Sequence, residues 1–188
     1  MKQIFADNAL RYFENGYNVV PLIPNTKRPF QTGWETACET RQAEYQVESY
    51  AHSFPNHNIG IALGEASRII GIDFDYDIDG LHEKINALID GSPVRKRGDK
   101  GYTAFYQYNG EHNKKWYKNG KAVVELLSTG NQTVVPPSIH PDTKQPYIWI
   151  TLDTLLDFTA SDLPKLPANF IEKVNEIFGY KERIIDFT

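Results

Sequence analysis

Alternating aspartates in one short segment are the residues whose type and spacing most directly suggest chemistry. The segment at positions 70–80 reads IGIDFDYDIDG and carries Asp at every second position from Asp73 to Asp79. A strand here places the four aspartates on one face and the intervening apolar residues on the other. Neighbouring carboxylates roughly 6–7 Å apart repel by about 2 kcal/mol at an effective dielectric constant near 20. A divalent cation removes that cost, because Mg²⁺, Mn²⁺ and Ca²⁺ prefer carboxylate oxygens.

Two other interpretations of the aspartates stay open. The carboxylates of a solvent-facing strand are hydrated and need no ligand. The segment from Asp75 to Gly80 also matches the first half of an EF-hand calcium loop. That pattern requires Glu at position 86, where the sequence has Asn86, and no clear helix precedes the loop.

A further carboxylate, Glu125, stands within the apolar segment VVELL at positions 123–127. If it is buried, it needs a polar partner or a metal ion. If it lies on the wet face of an edge strand, it needs neither, and the segment alone does not decide between the two.

Two basic features follow the acidic segment. The window 95–121 holds eight basic and two acidic residues, for a net charge of +6, with interleaved aromatic residues. Basic groups bind phosphates and aromatic rings stack on bases. The same pattern also fits a strand whose aromatic residues pack in the core and whose lysines face solvent. Further along, PPSIHP at 136–141 offers the Ser138 hydroxyl and the His140 imidazole. Such a pair can bind a phosphate, or the segment is a proline-stiffened turn.

Hydrophobic spacing predicts the elements that position these residues. Helices are expected at 4–13, 35–52, 81–89 and within 163–180, and a glycine-containing loop at 91–101. Strands are expected at 17–23, 59–63, 68–79, 102–108, 122–127, 132–135 and 147–150. This mixture indicates an α/β or α+β fold.

The composition excludes several classes of protein. The 188 residues are 40% hydrophobic, which suits one domain with a substantial core. One cysteine, Cys38, excludes an internal disulfide framework and fits a reducing compartment. No apolar run is long enough to span a bilayer and no signal peptide is visible, so we expect a cytoplasmic protein. The net charge of -4 argues against a generic nucleic-acid binder, but it conceals the basic window.

In this order, the segments resemble the N-terminal primase-polymerase (Prim-Pol) domain of phage and plasmid replication proteins, a branch of the archaeo-eukaryotic primase superfamily. The resemblance covers roughly residues 5–150. The matching segments are GYNVVPL at 16–22, KRP at 27–29, GW at 33–34, NIGIALG at 58–64, GIDFD at 71–75, VEL at 124–126, and PPSIHP at 136–141 with Tyr147 and Trp149.

The resemblance implies an α+β fold, archaeo-eukaryotic primase-like, in which an RRM-like catalytic sheet is packed with an N-terminal α/β unit. It implies a single domain over 1–188, with an N-terminal part at 1–57, a catalytic core at 58–150 and a C-terminal helical tail at 151–188. It also implies template-directed nucleotidyl transfer with Mg²⁺ or Mn²⁺. Asp73 and Asp75 look like the paired catalytic metal ligands and Glu125 like the third acid.

The resemblance also suggests binding residues and partners. In this family a His usually stands where this chain has Thr103. Candidates for nucleotide binding are Arg97, Lys100, Thr103, Ser138 and His140. Candidates for nucleic-acid contact are Arg95, Lys96, Lys114, Lys115 and Lys118. The implied partners are a DNA template and primer, dNTPs or NTPs, and a helicase or other replication protein, without a membrane, in the cytoplasm of a bacterial or archaeal host.

Two alternatives remain beside this interpretation. One is a non-catalytic module of the same fold that binds nucleic acid or nucleotide, which the Thr103 departure favours. The other is a Mg²⁺-dependent nuclease that uses the same acids, although the sequence has no convincing lysine-containing nuclease motif.

Overall fold

Two antiparallel sheets organise the computed structural model, which describes residues 3–180. The helices are α1 (Ile4–Glu14), α2 (Glu44–Ser53), α3 (Leu81–Asn86) and α4 (Phe170–Phe178). The strands are β1 (Val19–Leu22), β2 (Asn58–Ala62), β3 (Ile69–Phe74), β4 (Arg95–Arg97), β5 (Tyr102–Gln107), β6 (Lys114–Lys118), β7 (Lys121–Leu127), β8 (Gln132–Val135) and β9 (Ile148–Trp149). Helices combined with antiparallel sheets confirm the α+β prediction.

The strands divide into a small and a large sheet. The small sheet has the order β1-β2-β8 and the large sheet the order β6-β7-β3-β5-β4-β9. The predicted boundary after residue 57 lies beside a strand, β2, that pairs with both β1 and β8. The small sheet therefore joins the N-terminal segment to the predicted catalytic core.

The large sheet is covered on both faces. On one face, Ile72 and Phe74 of β3 belong to a buried cluster with Ile85 of α3 and Val174 of α4. On the other face, Ile69 belongs to a cluster that includes residues of α1 and the small sheet. The double covering explains why Ile69 and Ile70 are both apolar, and the alternation begins only at Asp73, where one face of β3 opens into a cleft. Among residues 3–180, no helix has the length and apolar character needed to cross a bilayer.

The acidic strand is shorter than predicted. β3 ends at Phe74, and Asp79 adopts a φ of 54° that a strand does not allow. The Asp77 carboxylate accepts a hydrogen bond of 3.1 Å from the backbone N–H of His82 near the start of α3. The prediction that four aspartates share one strand face is therefore wrong for Asp77 and Asp79. A strand, not a helix, precedes the acidic segment, unlike an EF-hand.

Other segments also differ from the sequence prediction, among them strand β6, for which the sequence predicts no element. The predicted helix at 35–52 is a 3-10 helix, Trp34–Cys38, followed by α2. Between them, the Gln42 side chain bonds both the N–H and the C=O of Val19, so the chain follows the edge of β1 instead of continuing a helix. The predicted loop at 91–101 contains β4. Residues 181–188 of the predicted C-terminal tail lie outside the described residues.

Candidate active site

A row of polar side chains crosses the large sheet at the level of Asp73. Asp73 lies opposite Glu125 of β7 and opposite Thr103 of β5. Beyond these, Glu125 lies opposite Lys115 of β6, and Thr103 lies opposite Lys96 of β4. Directly opposed residues point to the same face of a sheet. The row therefore places two carboxylates and a hydroxyl between two ammonium groups.

Thr103 orients the first carboxylate. Its hydroxyl donates a hydrogen bond of 2.7 Å to Oδ1 of Asp73, and the Thr103 side chain is buried. A bond from a buried hydroxyl fixes one carboxylate oxygen and leaves the other free for a ligand. The structure thus places Thr103, a candidate for nucleotide binding, in contact with an acid of the predicted metal pair.

Asp75 lies just beyond the end of β3. Its backbone N–H still donates to the carbonyl of Val123, at 3.0 Å, which holds the residue beside β7. Burial raises the pKa of Asp75, and the negative charges of Asp73 and Glu125 raise it further. The ionised carboxylates therefore repel one another, and a bound cation would relieve that repulsion.

Glu125 forms an ion pair with a lysine of the neighbouring strand. Its Oε2 lies 2.7 Å from Nζ of Lys115, and this hydrogen bond raises the pKa of Lys115. Lys115, a candidate for nucleic-acid contact, thus pairs with one of the three predicted acids. Within residues 3–180, no group of three or more His, Cys, Asp or Glu side chains is close enough to hold a metal ion.

A cleft of about 260 Å³ opens beside Asp73 and Asp75. It lies between the large sheet, strand β8 and the segment that follows β8. Its charged lining residues are Asp73, Asp75, Asp99, Asp142, Lys27, Lys96, Arg97 and Lys100, and His140 also lines it. Carboxylates and cationic groups thus share one small cavity, which suits a ligand that combines phosphates with a metal ion.

Two of the nucleotide-binding candidates lie where the chain passes from β4 to β5: Arg97 is the last residue of β4, and Lys100 lies in the loop that follows. Arg97 donates through Nε to the carbonyl of Gly101, at 2.9 Å, and Lys100 donates to the hydroxyl of Tyr76, at 2.8 Å. Both side chains are exposed and line the cleft. Gly101 has a φ of +65°, and a Cβ there would overlap the carbonyl of Phe74, so the loop approaches β3 closely only with glycine.

The structure separates the two members of the Ser138 and His140 pair. The Ser138 hydroxyl is fully buried and accepts a hydrogen bond of 2.8 Å from the N–H of Ile59, which ties this turn to β2. His140 lines the cleft, and its Nδ1 accepts from the N–H groups of Asp142 and Thr143. The ring proton therefore belongs on Nε2. Burial, and then the charge of Lys27, lowers the pKa of His140.

The nucleic-acid candidates fall in three places. Lys114 and Lys118 lie on β6, the edge strand next to β7. Arg95 on β4 is partly buried, and its guanidinium lies 5.4 Å from the ring centre of Tyr102. Lys96 is only 6% exposed and lines the same cleft as Asp73 and Asp75, so it does not lie on an outer surface.

Several residues that line the cleft were not candidates from the sequence, and three of them have polar side chains that matter for the site. These three are Lys27, Gln132 and Tyr147. Lys27 and Tyr147 belong to segments that match the family, so the family resemblance was a sequence signal for their place in the site. Gln132 had no such signal, because its place depends on the pairing of β8 with β2.

A comparison with protein families matches residues 9–169 to the family model described as "Bifunctional DNA primase/polymerase, N-terminal". No curated protein matches the chain. The matched span includes both sheets and every residue of the cleft.

Proposed function

The chain belongs to the Prim-Pol family of bifunctional DNA primase/polymerases, and we propose that it catalyses metal-dependent, template-directed nucleotidyl transfer in phage or plasmid replication. The observation that carries this proposal is the polar row beside the cleft, where Asp73 lies opposite Glu125 and next to Asp75. In a family of primases and polymerases, such acids are the groups expected to serve phosphoryl transfer.

The donor set has the right chemistry for a hard divalent cation. Asp73 and Asp75 contribute carboxylate oxygens to the cleft. Burial raises the pKa of Asp75 most, the charge of Asp73 raises it further, and a cation would offset that repulsion. Asp73 and Asp75 would hold the ion, and Glu125 would serve as the third acid. Glu125 would have to exchange its Lys115 partner for that role. When bound, Mg²⁺ or Mn²⁺ lowers the pKa of an attacking hydroxyl and stabilises a leaving pyrophosphate.

The residues of the chain would position the two substrates. The primer 3′-hydroxyl would attack the α-phosphorus of the nucleotide, and pyrophosphate would leave with the electron pair of the broken bond. The hydrogen bond from Thr103 holds Asp73 in place for this reaction. Arg97, Lys100 and His140 face the same cleft and would bind the phosphates.

The basic residues outside the cleft would contact the template. Arg95, Lys114 and Lys118 are the candidates for this role, and each would supply a phosphate contact without sequence preference. The substrates would be a DNA template and primer with dNTPs or NTPs. We place the reaction in the cytoplasm of a bacterial or archaeal host, beside a helicase or another replication protein.

The strand order supports an RRM-like catalytic sheet. The four central strands of the large sheet run β7-β3-β5-β4, and α3 follows β3 along the chain. If these four strands are numbered 1 to 4 in the order in which they occur along the chain, their order across the sheet is 4-1-3-2. We propose that this unit is the catalytic sheet of an archaeo-eukaryotic primase-like fold.

Primer extension with labelled dNTPs tests the proposal. We expect the whole chain to extend a primer in Mg²⁺ or Mn²⁺ and to lose that activity in EDTA. Binding of the template without incorporation in any metal would contradict the proposal and favour a non-catalytic module. Shortening of the labelled primer would contradict it in favour of a nuclease. A reaction without primer then measures whether the protein starts chains.

A further inference from the structure

A largely buried lysine that forms no ion pair with the described residues lies in the cleft. Lys96 is 6% exposed, and burial lowers its pKa to about 8. Within residues 3–180, no carboxylate oxygen lies within 4.0 Å of its Nζ. A buried charge without a partner is costly, so such a position favours an anionic ligand.

A second donor without a partner lies beside it. The Tyr147 side chain is 5% exposed, and its hydroxyl is buried without a hydrogen-bond partner in the described part of the chain. The ammonium of Lys96 lies 5.2 Å from the centre of the Tyr147 ring. Burial raises the pKa of Tyr147, so the hydroxyl is neutral and able to donate near neutral pH.

His140 completes the group. Its ring centre lies 5.3 Å from that of Tyr147, and its Nε2–H remains available because Nδ1 accepts two backbone N–H groups. The backbone at Gly98 packs against both rings. A Cβ there would overlap the Tyr147 ring and come within 2.7 Å of Cδ2 of His140. Glycine thus lets the loop hold both rings in place.

We infer that Lys96, Tyr147 and His140 form a phosphate subsite, which binds the outer phosphates of the incoming nucleotide and then the pyrophosphate released. This inference rests on the proposed function and assigns Lys96 to the nucleotide, where the sequence had suggested contact with the template. The three residues are positioning residues for the reaction.

The spacing of the row fits this assignment. Lys96 and Asp73 are two strands apart, because Thr103 of β5 lies opposite both. Two strand spacings amount to roughly 9–10 Å. The phosphates of a nucleotide can therefore lie between the acids, where transfer occurs, and the subsite.

The size of the cleft favours a terminal phosphate over a nucleic-acid backbone. The cavity measures about 260 Å³, and Lys96 is buried in it. A terminal phosphate can enter such a cavity end-on. A backbone phosphate carries a sugar on each side, so both sugars would have to enter with it.

Two substitutions test the subsite, each with a matched control. Lys96→Met removes the charge and keeps a linear side chain, and Tyr147→Phe removes only the hydroxyl. The controls are Lys173→Met on α4 and Tyr45→Phe on α2, which change exposed side chains away from the cleft. Tyr147→Phe keeps the test valid should Lys96→Met fail to fold.

The first measurement is calorimetric binding of inorganic pyrophosphate in Mg²⁺, which does not depend on catalysis. We expect Lys96→Met to weaken binding by about ten- to a hundredfold and Tyr147→Phe by about three- to tenfold. The second is steady-state primer extension, where both changes should raise the KM for the nucleotide and leave the affinity for primer-template unchanged.

The outcomes separate the subsite from the proposed reaction. Pyrophosphate binding that depends on Lys96, without incorporation in any metal, supports the subsite and contradicts the proposed function. Incorporation with unchanged pyrophosphate affinity and unchanged KM in both folded variants overturns the subsite and supports the function. A loss of template affinity equal to the loss of nucleotide affinity also overturns the subsite.

Discussion

Replacing Asp75 by Asn is expected to stabilise the protein in the absence of a divalent cation. Carboxylates two residues apart in extended chain lie roughly 6–7 Å from each other, which corresponds to about 2 kcal/mol of repulsion at an effective dielectric constant near 20. Asp75 is only partly buried, and the Lys115 charge offsets some of this repulsion. Solvent screening reduces the expected net gain to about 1 kcal/mol, or a rise in Tm of about 2–4 °C.

The pH dependence of this gain follows from the direction of the pKa shift. The pKa of Asp75 is higher in the folded chain than in the unfolded chain, because burial and Asp73 disfavour its ionised form. The ionised carboxylate therefore lowers stability above its folded pKa. Below the unfolded pKa, about 4, Asp75 is neutral in both states and the gain disappears.

Thermal unfolding in EDTA from pH 3 to pH 8 measures the effect. Asp79→Asn is the matched control, because Asp79 is exposed, lies outside β3 and has a left-handed conformation that Asn tolerates. We expect Mg²⁺ or Mn²⁺ to raise the Tm of the wild-type protein more than that of Asp75→Asn. A loss of stability at neutral pH, or a gain that persists at pH 3, would refute the reasoning.

Three further predictions concern the surroundings of the site. Lys115→Met removes a positive charge 2.7 Å from Glu125. It should tighten Mn²⁺ binding in a titration and change stability by less than about 1 kcal/mol; weaker Mn²⁺ binding would contradict this. Trp116→Ala empties a fully buried position and removes a hydrogen bond to Asn175, so denaturant unfolding should show a loss of about 3–5 kcal/mol. Gly101→Ala should lower nucleotide affinity, measured by fluorescence titration, because a Cβ would displace the loop from Phe74; unchanged affinity would count against the described loop.

The sequence predicts the central strands β3, β5 and β7 of the large sheet, but not which strands pair with one another. Ile72, Phe74 and Leu126 are apolar at alternating positions or in apolar runs, so β3 and β7 could be recognised from burial on a sheet face. The row from Lys115 to Lys96 could not be predicted. It depends on which strands pair and in what register, and those contacts join residues far apart in sequence.

The misplaced boundaries have local physical causes. In the sequence, aspartate occupies every second position as far as Asp79. In the structure, the Asp77 carboxylate accepts a hydrogen bond from the N–H of His82, so the chain has already left the strand and leads into α3. β6 was missed because only Trp116 of KKWYK points into the core, and the four other side chains of that strand are polar or exposed.

Lys96 shows that a count of charged residues does not reveal which of them are buried. It was one of eight basic residues in the window 95–121. The pairing of β4 with β5 and β9 encloses it, which leaves it buried beside Tyr147. The metal ligands, the RRM-like sheet, the division of the chain and the location in the cell stay predictions.

Single-nucleotide incorporation tests the central claim most directly. The assay compares the wild-type protein, Asp73→Asn and Asp79→Asn on a primed template in Mn²⁺, with each of the four dNTPs offered separately. We predict that the wild-type protein and Asp79→Asn add only the nucleotide complementary to the template. Asp73→Asn should add none, while it still binds the primed template. Equal incorporation by Asp73→Asn and the wild-type protein would contradict the assignment of catalysis to this cleft.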